Sequence, residues 1–311
     1  MLPLASSDNK MVVLGTALWG WGVDRATAYQ MLDKFVLLGG RVVDTATNYP
    51  INKCSENFGL AVMWLADWLA INGQESLSVI VKVGGIDNMG SANVDLSPSN
   101  IRNSESFSRD KLGDALACIA VHWDNREEND ADAIVETVNA LVRIQEGGLS
   151  IGFSGIRRPD LYFKASPEHA DKWWIQVKEN VQSCATRLNY ANHFPNAHYL
   201  AYSINMGGVK DEMYSESNSV ILRGIKTPEK TIKCLSEFIQ SDHGIQPAPK
   251  NFNELALLVA FLNSALSGVI IGARNKEQLE STIKFWNQLE VDSLASDVAK
   301  LSSILNYGIA F

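Results

Sequence analysis

Four titratable side chains stand at or just after predicted strands and together could transfer a proton: Asp44, Tyr49, Lys82 and His122. A phenol with a pKa of about 10 is a reluctant acid near neutrality, but a neighbouring ammonium favours its phenolate and readies it for proton exchange. Lys82 can supply that ammonium, and Asp44 can keep it charged, because an uncompensated buried ammonium tends to lose its proton. Each residue alone has an ordinary structural explanation. Their joint placement on three consecutive strands predicts one shared site.

The elements that must position these residues alternate along the chain. Short apolar runs predict eight strands, each followed by a helix or a gap of helical length, at 11–14, 41–44, 77–83, 118–121, 151–154, 174–177, 199–203 and 268–271. Such alternation indicates parallel strands joined by right-handed crossovers. Eight units in 311 residues favour an α/β fold of the (β/α)8 TIM-barrel type as a single domain over 1–311. The active site of such a barrel lies at the C-terminal ends of the strands.

Amphipathic periodicity and cap residues place the intervening helices. They are predicted at 25–38, 56–69, 109–116, 131–146, 183–190, 229–240, 253–266, 276–288 and 292–305. The segment 205–227, rich in Gly, Ser and Asn, is predicted to be a long loop after the seventh strand, close to a cofactor or substrate.

Composition excludes several classes of protein. With 46% hydrophobic and 20% charged residues the chain can bury a large core, so it is globular and not disordered. A formal charge of −8 argues against nucleic-acid and anionic-membrane partners. The N-terminus lacks the pattern of a secretory signal and the most apolar run, 255–262, is too short to span a bilayer, so we expect a cytoplasmic protein.

Metal and nucleotide motifs give a further negative result. The four cysteines have no paired spacing, so we expect neither a disulfide framework nor a bound metal. No P-loop occurs, and Arg25 stands where the third glycine of a dinucleotide fingerprint would follow Gly20 and Gly22. Any nucleotide must therefore be bound by residues other than a P-loop or a dinucleotide-binding glycine motif.

The motifs around the four residues resemble those of the aldo-keto reductase superfamily. The chain reads VDTATNY at 43–49, Ser55-Glu56 before a helix, VKV at 81–83 and VHW at 121–123. The likeness continues through GFS at 152–154, AYS at 201–203 and GARNKEQL at 272–279, so that it covers nearly the whole chain from Gly15 to about Gln288. The resemblance implies a (β/α)8 barrel and an NADPH-dependent reduction of an aldehyde or ketone, sugar-like or aromatic, to the alcohol.

In that resemblance Tyr49 is the general acid, Lys82 its ammonium partner and Asp44 the carboxylate that orients the lysine. His122 lies beside the carbonyl oxygen and orients the substrate by a hydrogen bond; the sequence leaves its tautomer open. The hydride must come from a cofactor, because no side chain donates one.

The cofactor site is implied by the same likeness. Barrels commonly bind phosphate after strands seven and eight near a helix N-terminus, where Gly272, Ala273 and Arg274 stand. Arg274 would bind the 2′-phosphate of NADP, and Gln278 would lie by the adenine ribose. NADPH is therefore the favoured coenzyme, and NADH stays possible. Ser154 and Gln176 would contact the carboxamide of the nicotinamide, and Tyr202 would stack on its ring. The full set of remaining predicted cofactor-binding residues is Gly15, Thr16, Ser154, Gln176, Tyr202 and Ser203.

Substrate contacts are predicted from the loops after strands one and four. Trp19, Trp21 and Trp123 could wall an apolar pocket for a small carbonyl compound, although ordinary packing at the barrel mouth would explain them equally well. The chain departs from the family pattern at Gly155, where an asparagine is usual, and within 176–180. These departures keep a second hypothesis open: an NADP(H)-binding subunit or redox sensor with little turnover.

Overall fold

Eight parallel strands close into a barrel in which each strand pairs with its neighbour in sequence. The computed structural model describes residue 2 and residues 10–73, 77–206, 229–241 and 244–289. Strand β8 pairs with β1, with Val13 opposite Ile270, and this pairing completes the ring. The strands are β1 Met11–Gly15, β2 Val42–Ala46, β3 Ser78–Val83, β4 Leu116–Val121, β5 Ser150–Phe153, β6 Trp173–Lys178, β7 His198–Tyr202 and β8 Gly268–Ile271. The predicted (β/α)8 barrel is confirmed.

Helices join the strands and cover the outside of the barrel. They are α1 Arg25–Leu37, α2 Leu60–Asn72, α3 Pro98–Leu112, α4 Ala131–Glu146, α5 Pro159–Ala165, α6 Ala185–Ala191, α7 Glu229–Gln240, α8 Phe252–Leu262 and α9 Lys276–Trp286. Helix α1 shows the local logic, since Asp24 caps it by accepting a hydrogen bond from the Thr27 amide. Its buried face, which includes Met31 and Phe35, repeats at helical spacing.

The barrel has an inner and an outer apolar layer. Inside the barrel, side chains such as Val42, Ile80 and Leu200 form a small separate cluster. The adjacent residues Trp173 and Trp174 show the alternation of strand side chains, because Trp174 belongs to the inner cluster while Trp173 packs in the outer one. The interior is therefore filled with side chains, and open space is left to the barrel ends.

Three predicted helices have wrong boundaries. The helix predicted at 253–266 ends at Leu262, because Asn263 is already extended with ψ 100°. The predicted helix 109–116 is the end of a longer one: Ser97 caps it, Pro98 stands in its first turn, and Leu116 already begins β4. The helix predicted at 56–69 begins at Leu60, because a short 3-10 turn comes first and Gly59, at φ 76°, separates the two. The short helix α5 was not predicted. The predicted helix 292–305 and residues 207–227 of the predicted loop lie outside the described residues.

Candidate active site

A cavity of about 980 Å³ opens at the C-terminal ends of the strands. Its size is at the upper end of the range of small-molecule and cofactor sites. All four residues of the predicted proton-transfer site, Asp44, Tyr49, Lys82 and His122, line it. The structure therefore brings together side chains that lie up to 78 positions apart in the sequence.

A buried ion pair forms the floor of this cavity. Lys82 and Asp44 are both almost fully buried, and the lysine ammonium donates to one oxygen of the carboxylate. The other carboxylate oxygen accepts from the side-chain NH₂ of Gln176. Burial by itself lowers the pKa of Lys82, but Asp44 and then Tyr49 outweigh it, so that the pKa is raised above its ordinary 10.5. Lys82 is therefore an ammonium at physiological pH.

Tyr49 lies above this pair in the loop after β2. The Lys82 ammonium is 4.8 Å from the centre of the phenol ring, and the ring of His122 meets it edge-on at 5.3 Å between centroids. The loop is held by backbone hydrogen bonds from the Tyr49 amide to Ala46 and from the Ala61 amide to the Tyr49 carbonyl. The phenol, ammonium and imidazole thus share one wall of the cavity.

His122 is a buried neutral imidazole. Burial, and then the positive charge of Lys82, hold its pKa well below the usual 6.5. Its Nδ1 lies 3.1 Å from the side-chain oxygen of Asn48, and the ring packs on Trp123 at 4.2 Å. Asn48 is fully buried and was not among the predicted site residues. It stands directly before Tyr49 in the sequence, but nothing in that position shows that its side chain turns towards His122.

The loop after β8 forms another wall of the cavity, with Gly272, Ala273, Arg274 and Gln278 on its lining. Asn275 caps α9 by accepting from the Gln278 amide, and the Gln278 side chain accepts from the Arg274 amide at 3.0 Å. The Arg274 side chain is exposed. A guanidinium at a helix N-terminus is a suitable partner for a phosphate.

The remaining predicted cofactor residues divide into two groups. Gly15, Ser154, Gln176, Tyr202 and Ser203 line the cavity. Ser203 adopts the left-handed conformation, with φ 58°, which is uncommon outside glycine and is often found at binding sites.

Thr16 does not line the cavity. It is fully buried, its hydroxyl donates to the Thr45 hydroxyl at 2.9 Å, and its amide donates to the Asp44 carbonyl at 3.0 Å. In this structure Thr16 joins β1 to β2, and both of its donors are already used.

Of the three tryptophans predicted at the substrate pocket, only Trp123 lines the cavity. Trp19 is fully buried in the outer core, because the chain turns tightly after β1 with the Trp19 amide bonded to the Thr16 carbonyl. Its indole Nε1 has no hydrogen-bond partner among the described residues. Trp21 is 37% exposed and lies outside the lining. The prediction that Trp19 and Trp21 wall the pocket is therefore corrected.

Two further parts of the cavity wall are the N-terminus of α8, which the sequence did not predict as part of the site, and Gly155, which departs from the family pattern. Residues 250–254, at the N-terminus of α8, line the cavity although no sequence motif was predicted there. Asn251 caps that helix. At Gly155 a Cβ atom would meet the His122 carbonyl and Trp123 only at 3.8 and 3.9 Å, so there is room for a Cβ at this position. The absence of one enlarges the cavity beside His122.

Within the described residues no group of three or more His, Cys, Asp or Glu side chains could hold a metal ion. In the same part of the chain no helix has both the length and the apolar composition needed to cross a membrane.

Comparisons with known proteins agree with the barrel fold. The model of the aldo/keto reductase family matches residues 11–305. The curated protein named "Protein tas" from Escherichia coli (strain K12) is 23% identical over 344 aligned positions, which cover 98% of each chain. Among solved structures, the aldo-keto reductase AKR11C1 from Bacillus halodurans (holo form) has a TM-score of 0.68 at 19% identity, over 94% of this chain and 92% of that chain. The glycerol dehydrogenase AKR11B4 from Gluconobacter oxydans has a TM-score of 0.69 at 19% identity, over 96% and 93%.

Proposed function

Because this chain belongs to the aldo/keto reductase family, whose members are oxidoreductases of carbonyl compounds, we propose that it reduces an aldehyde or ketone to the alcohol with NADPH as coenzyme. The observation that carries the proposal is the buried Lys82–Asp44 pair beneath Tyr49 on the wall of one large cavity. A phenol beside a permanent ammonium, in a cavity wide enough for coenzyme and substrate, suits the protonation of a carbonyl oxygen.

In this proposal Tyr49 is the general acid. Negative charge develops on the carbonyl oxygen during reduction, and the phenol delivers its proton to that oxygen. The phenolate left behind is stabilised by the Lys82 ammonium, which Asp44 keeps charged and oriented. His122, neutral and adjacent to Tyr49, orients the substrate by a hydrogen bond.

The loop after β8 supplies the proposed coenzyme contacts. Arg274 would bind the 2′-phosphate, Gln278 would lie by the ribose, and Gly272, which has no atom within 4 Å of a Cβ position, leaves room for close approach of a phosphate. A nicotinamide coenzyme bound there would supply the hydride that no side chain can donate. Ser154, Tyr202 and Ser203, on the cavity wall, are the proposed contacts of the nicotinamide end.

Two observations support the second hypothesis, a coenzyme-binding subunit or redox sensor with little turnover. The Gln176 NH₂ is bonded to Asp44, and Gly155 has no side chain, so two contacts expected for the carboxamide are altered. The complete set of Asp44, Tyr49, Lys82 and His122 on one cavity favours catalysis instead.

The test measures binding and turnover separately. Purified protein should change NADPH fluorescence on binding and should oxidise NADPH with at least one compound from a panel of aldehydes, ketones and short sugars. Tyr49→Phe should lower kcat by about 10²–10⁴-fold and leave NADPH affinity nearly unchanged. Tyr29→Phe is the matched control, because Tyr29 contacts Arg25 on the outer surface. NADPH binding without turnover of any compound would favour the sensor hypothesis, and a Tyr49→Phe rate within about threefold of wild type would refute the assignment of the acid.

Coenzyme choice is tested at Arg274. Arg274→Ala should weaken NADPH binding by roughly 10- to 100-fold, the range expected for lost hydrogen bonds to a charged group, and should leave NADH binding unchanged. Lys284→Ala, at the far end of α9, removes a positive charge from the same helix as a control. Equal losses for NADPH and NADH would contradict a 2′-phosphate contact.

A further inference from the structure

The buried contact between Asn48 and His122 has a defined polarity. The Asn48 side-chain oxygen lies 3.1 Å from His122 Nδ1, and its NH₂ group donates to the Asp87 carbonyl oxygen at 3.1 Å. A backbone carbonyl only accepts hydrogen bonds, so the NH₂ end of the amide must face Asp87. The oxygen end therefore faces the histidine.

The surroundings hold this arrangement in place. The Asp87 carboxylate accepts from the Met89 amide at 2.9 Å and from the Ser91 hydroxyl at 2.5 Å, so the loop that carries the carbonyl is fixed. A Cβ at Gly85 would lie 2.4 Å from the Asn48 nitrogen, so only glycine leaves room for the amide there. The site is built around the orientation of Asn48.

The polarity of Asn48 determines which nitrogen of His122 carries the proton. An amide oxygen only accepts, so His122 Nδ1 must donate to it. Burial and Lys82 lower the pKa of His122 well below 6.5, so near neutrality the ring has a single proton, and Asn48 places it on Nδ1. The other nitrogen, Nε2, is then a hydrogen-bond acceptor on a residue that lines the cavity.

We infer that Asn48 is a positioning residue that holds His122 in the Nδ1–H tautomer, so that Nε2 accepts a hydrogen bond in the cavity and selects carbonyl compounds with a hydroxyl on the neighbouring carbon. A carbonyl oxygen cannot donate to Nε2, whereas a hydroxyl can. In this tautomer the hydrogen bond by which His122 orients the substrate therefore comes from a substrate hydroxyl and does not go to the carbonyl oxygen. The Tyr49 and His122 rings are 5.3 Å apart, so a donor for the carbonyl and an acceptor for the hydroxyl stand side by side. In the reverse direction the same pair suits a vicinal diol. The substrate selectivity rests on the proposed reductase function, whereas the tautomer of His122 is independent of that function.

The tautomer can be measured without turnover, by ¹⁵N NMR of histidine-labelled protein at pH 8. The chain has five histidines, and the His122 signals are identified by their loss in His122→Gln. The wild type should show a protonated Nδ1 and an unprotonated Nε2. Asn48→Leu should move the proton population towards Nε2, whereas Asn48→Asp, which keeps an acceptor oxygen beside Nδ1, should preserve the wild-type tautomer.

Substrate selectivity is measured with hydroxyacetone and 2-butanone, which differ by a hydroxyl in place of a methyl group. The wild type should favour hydroxyacetone in kcat/KM by roughly tenfold, the effect of one hydrogen bond, and Asn48→Leu should bring the ratio close to one. Asn88→Leu is the matched control: Asn88 is equally buried in the neighbouring loop but bonds to the Cys54 carbonyl at 2.6 Å. It should change neither the ratio nor the tautomer.

Each outcome decides a separate claim. A protonated Nε2 in the wild type, or an unchanged tautomer in Asn48→Leu, would overturn the positioning role. An Nδ1–H tautomer with a hydroxyacetone preference that survives Asn48→Leu would overturn the selectivity. Failure to reduce any carbonyl compound would refute the proposed function, while the NMR measurement would still establish the tautomer.

Discussion

The buried pair of Asp44 and Lys82 allows a quantitative test of the electrostatics of the site. Asp44→Asn keeps the shape of the side chain and removes its charge, which leaves the Lys82 ammonium in a position that is 2% exposed. Without Asp44 the largest remaining influence on the pKa of Lys82 is burial, which lowers it. The folded variant must then either bury an uncompensated charge or release a proton.

Proton release sets an upper limit on the destabilisation. In the unfolded chain the lysine titrates at 10.5. Holding it neutral at pH 7 costs about 1.36 kcal/mol for each of 3.5 pH units, or about 4.8 kcal/mol. That value agrees with the range of about 3–5 kcal/mol typical of breaking a buried pair. At pH 9 the same cost falls to about 2 kcal/mol, because the unfolded state then holds its extra proton less tightly.

Urea denaturation of Asp44→Asn at pH 7, 8 and 9 measures this directly. We expect the free energy of unfolding to fall by about 3–5 kcal/mol at pH 7 and the deficit to shrink as the pH rises. Asp67→Asn is the matched control, since the Arg25–Asp67 pair has a contact of 2.7 Å but is about half exposed, and it should leave the free energy of unfolding nearly unchanged. The double variant Asp44→Asn, Lys82→Met should recover part of the loss. A deficit below about 1 kcal/mol would refute the assignment of a charged buried pair. A larger deficit that does not change with pH would show that the variant buries the ammonium and releases no proton.

Three further predictions concern the stability of the barrel and its dependence on the protonation of His122. Gly152→Ala should destabilise the barrel strongly in thermal melts, because its Cβ would lie 2.1 Å from the Trp174 carbonyl oxygen, whereas Gly22→Ala, with no atom within 4 Å, should not. Tyr190→Phe should lower the free energy of unfolding by about 1–3 kcal/mol, because a buried backbone N–H and carbonyl both lose their partner, a loss that chemical denaturation would measure. When unfolding is measured from pH 8 down to pH 5, the wild type should lose stability more steeply than His122→Gln below pH 6.5. In that range the histidine of the unfolded chain binds a proton, whereas the buried histidine of the folded chain stays neutral.

The strands could be predicted from sequence because both faces of a closed parallel sheet are buried, so each strand is a short, nearly continuous apolar run. The boundaries of α3 could not be predicted by periodicity, because its sequence is polar, with only Ile101, Ser108 and Leu112 buried. Trp19 was misplaced for a related reason. Position after a strand shows that a residue is near the barrel mouth, but not whether the turn directs its ring to the cavity or to the core.

Side-chain alternation explains why the strand residues of the site could be found at all. Residues two apart on a strand face the same side, so the position two beyond an interior residue reaches the cavity at the barrel end. Val42, Ile80 and Trp174 belong to the inner cluster, and two residues after each stand Asp44, Lys82 and Gln176. The same count from the inner-cluster residues Val13, Ala120, Leu200 and Ile270 gives four more residues that line the cavity: Gly15, His122, Tyr202 and Gly272.

Asn48 lies outside the reach of this rule because it belongs to the loop after β2, where no alternation applies. Its role depends on a carbonyl of another loop, Asp87, and on the missing Cβ of Gly85, neither of which has a periodic signal in the sequence. The strand residues therefore determine which reactive groups meet in the cavity. The loop contacts determine the state in which His122 meets a substrate, since the same imidazole donates or accepts at Nε2 according to what Nδ1 faces.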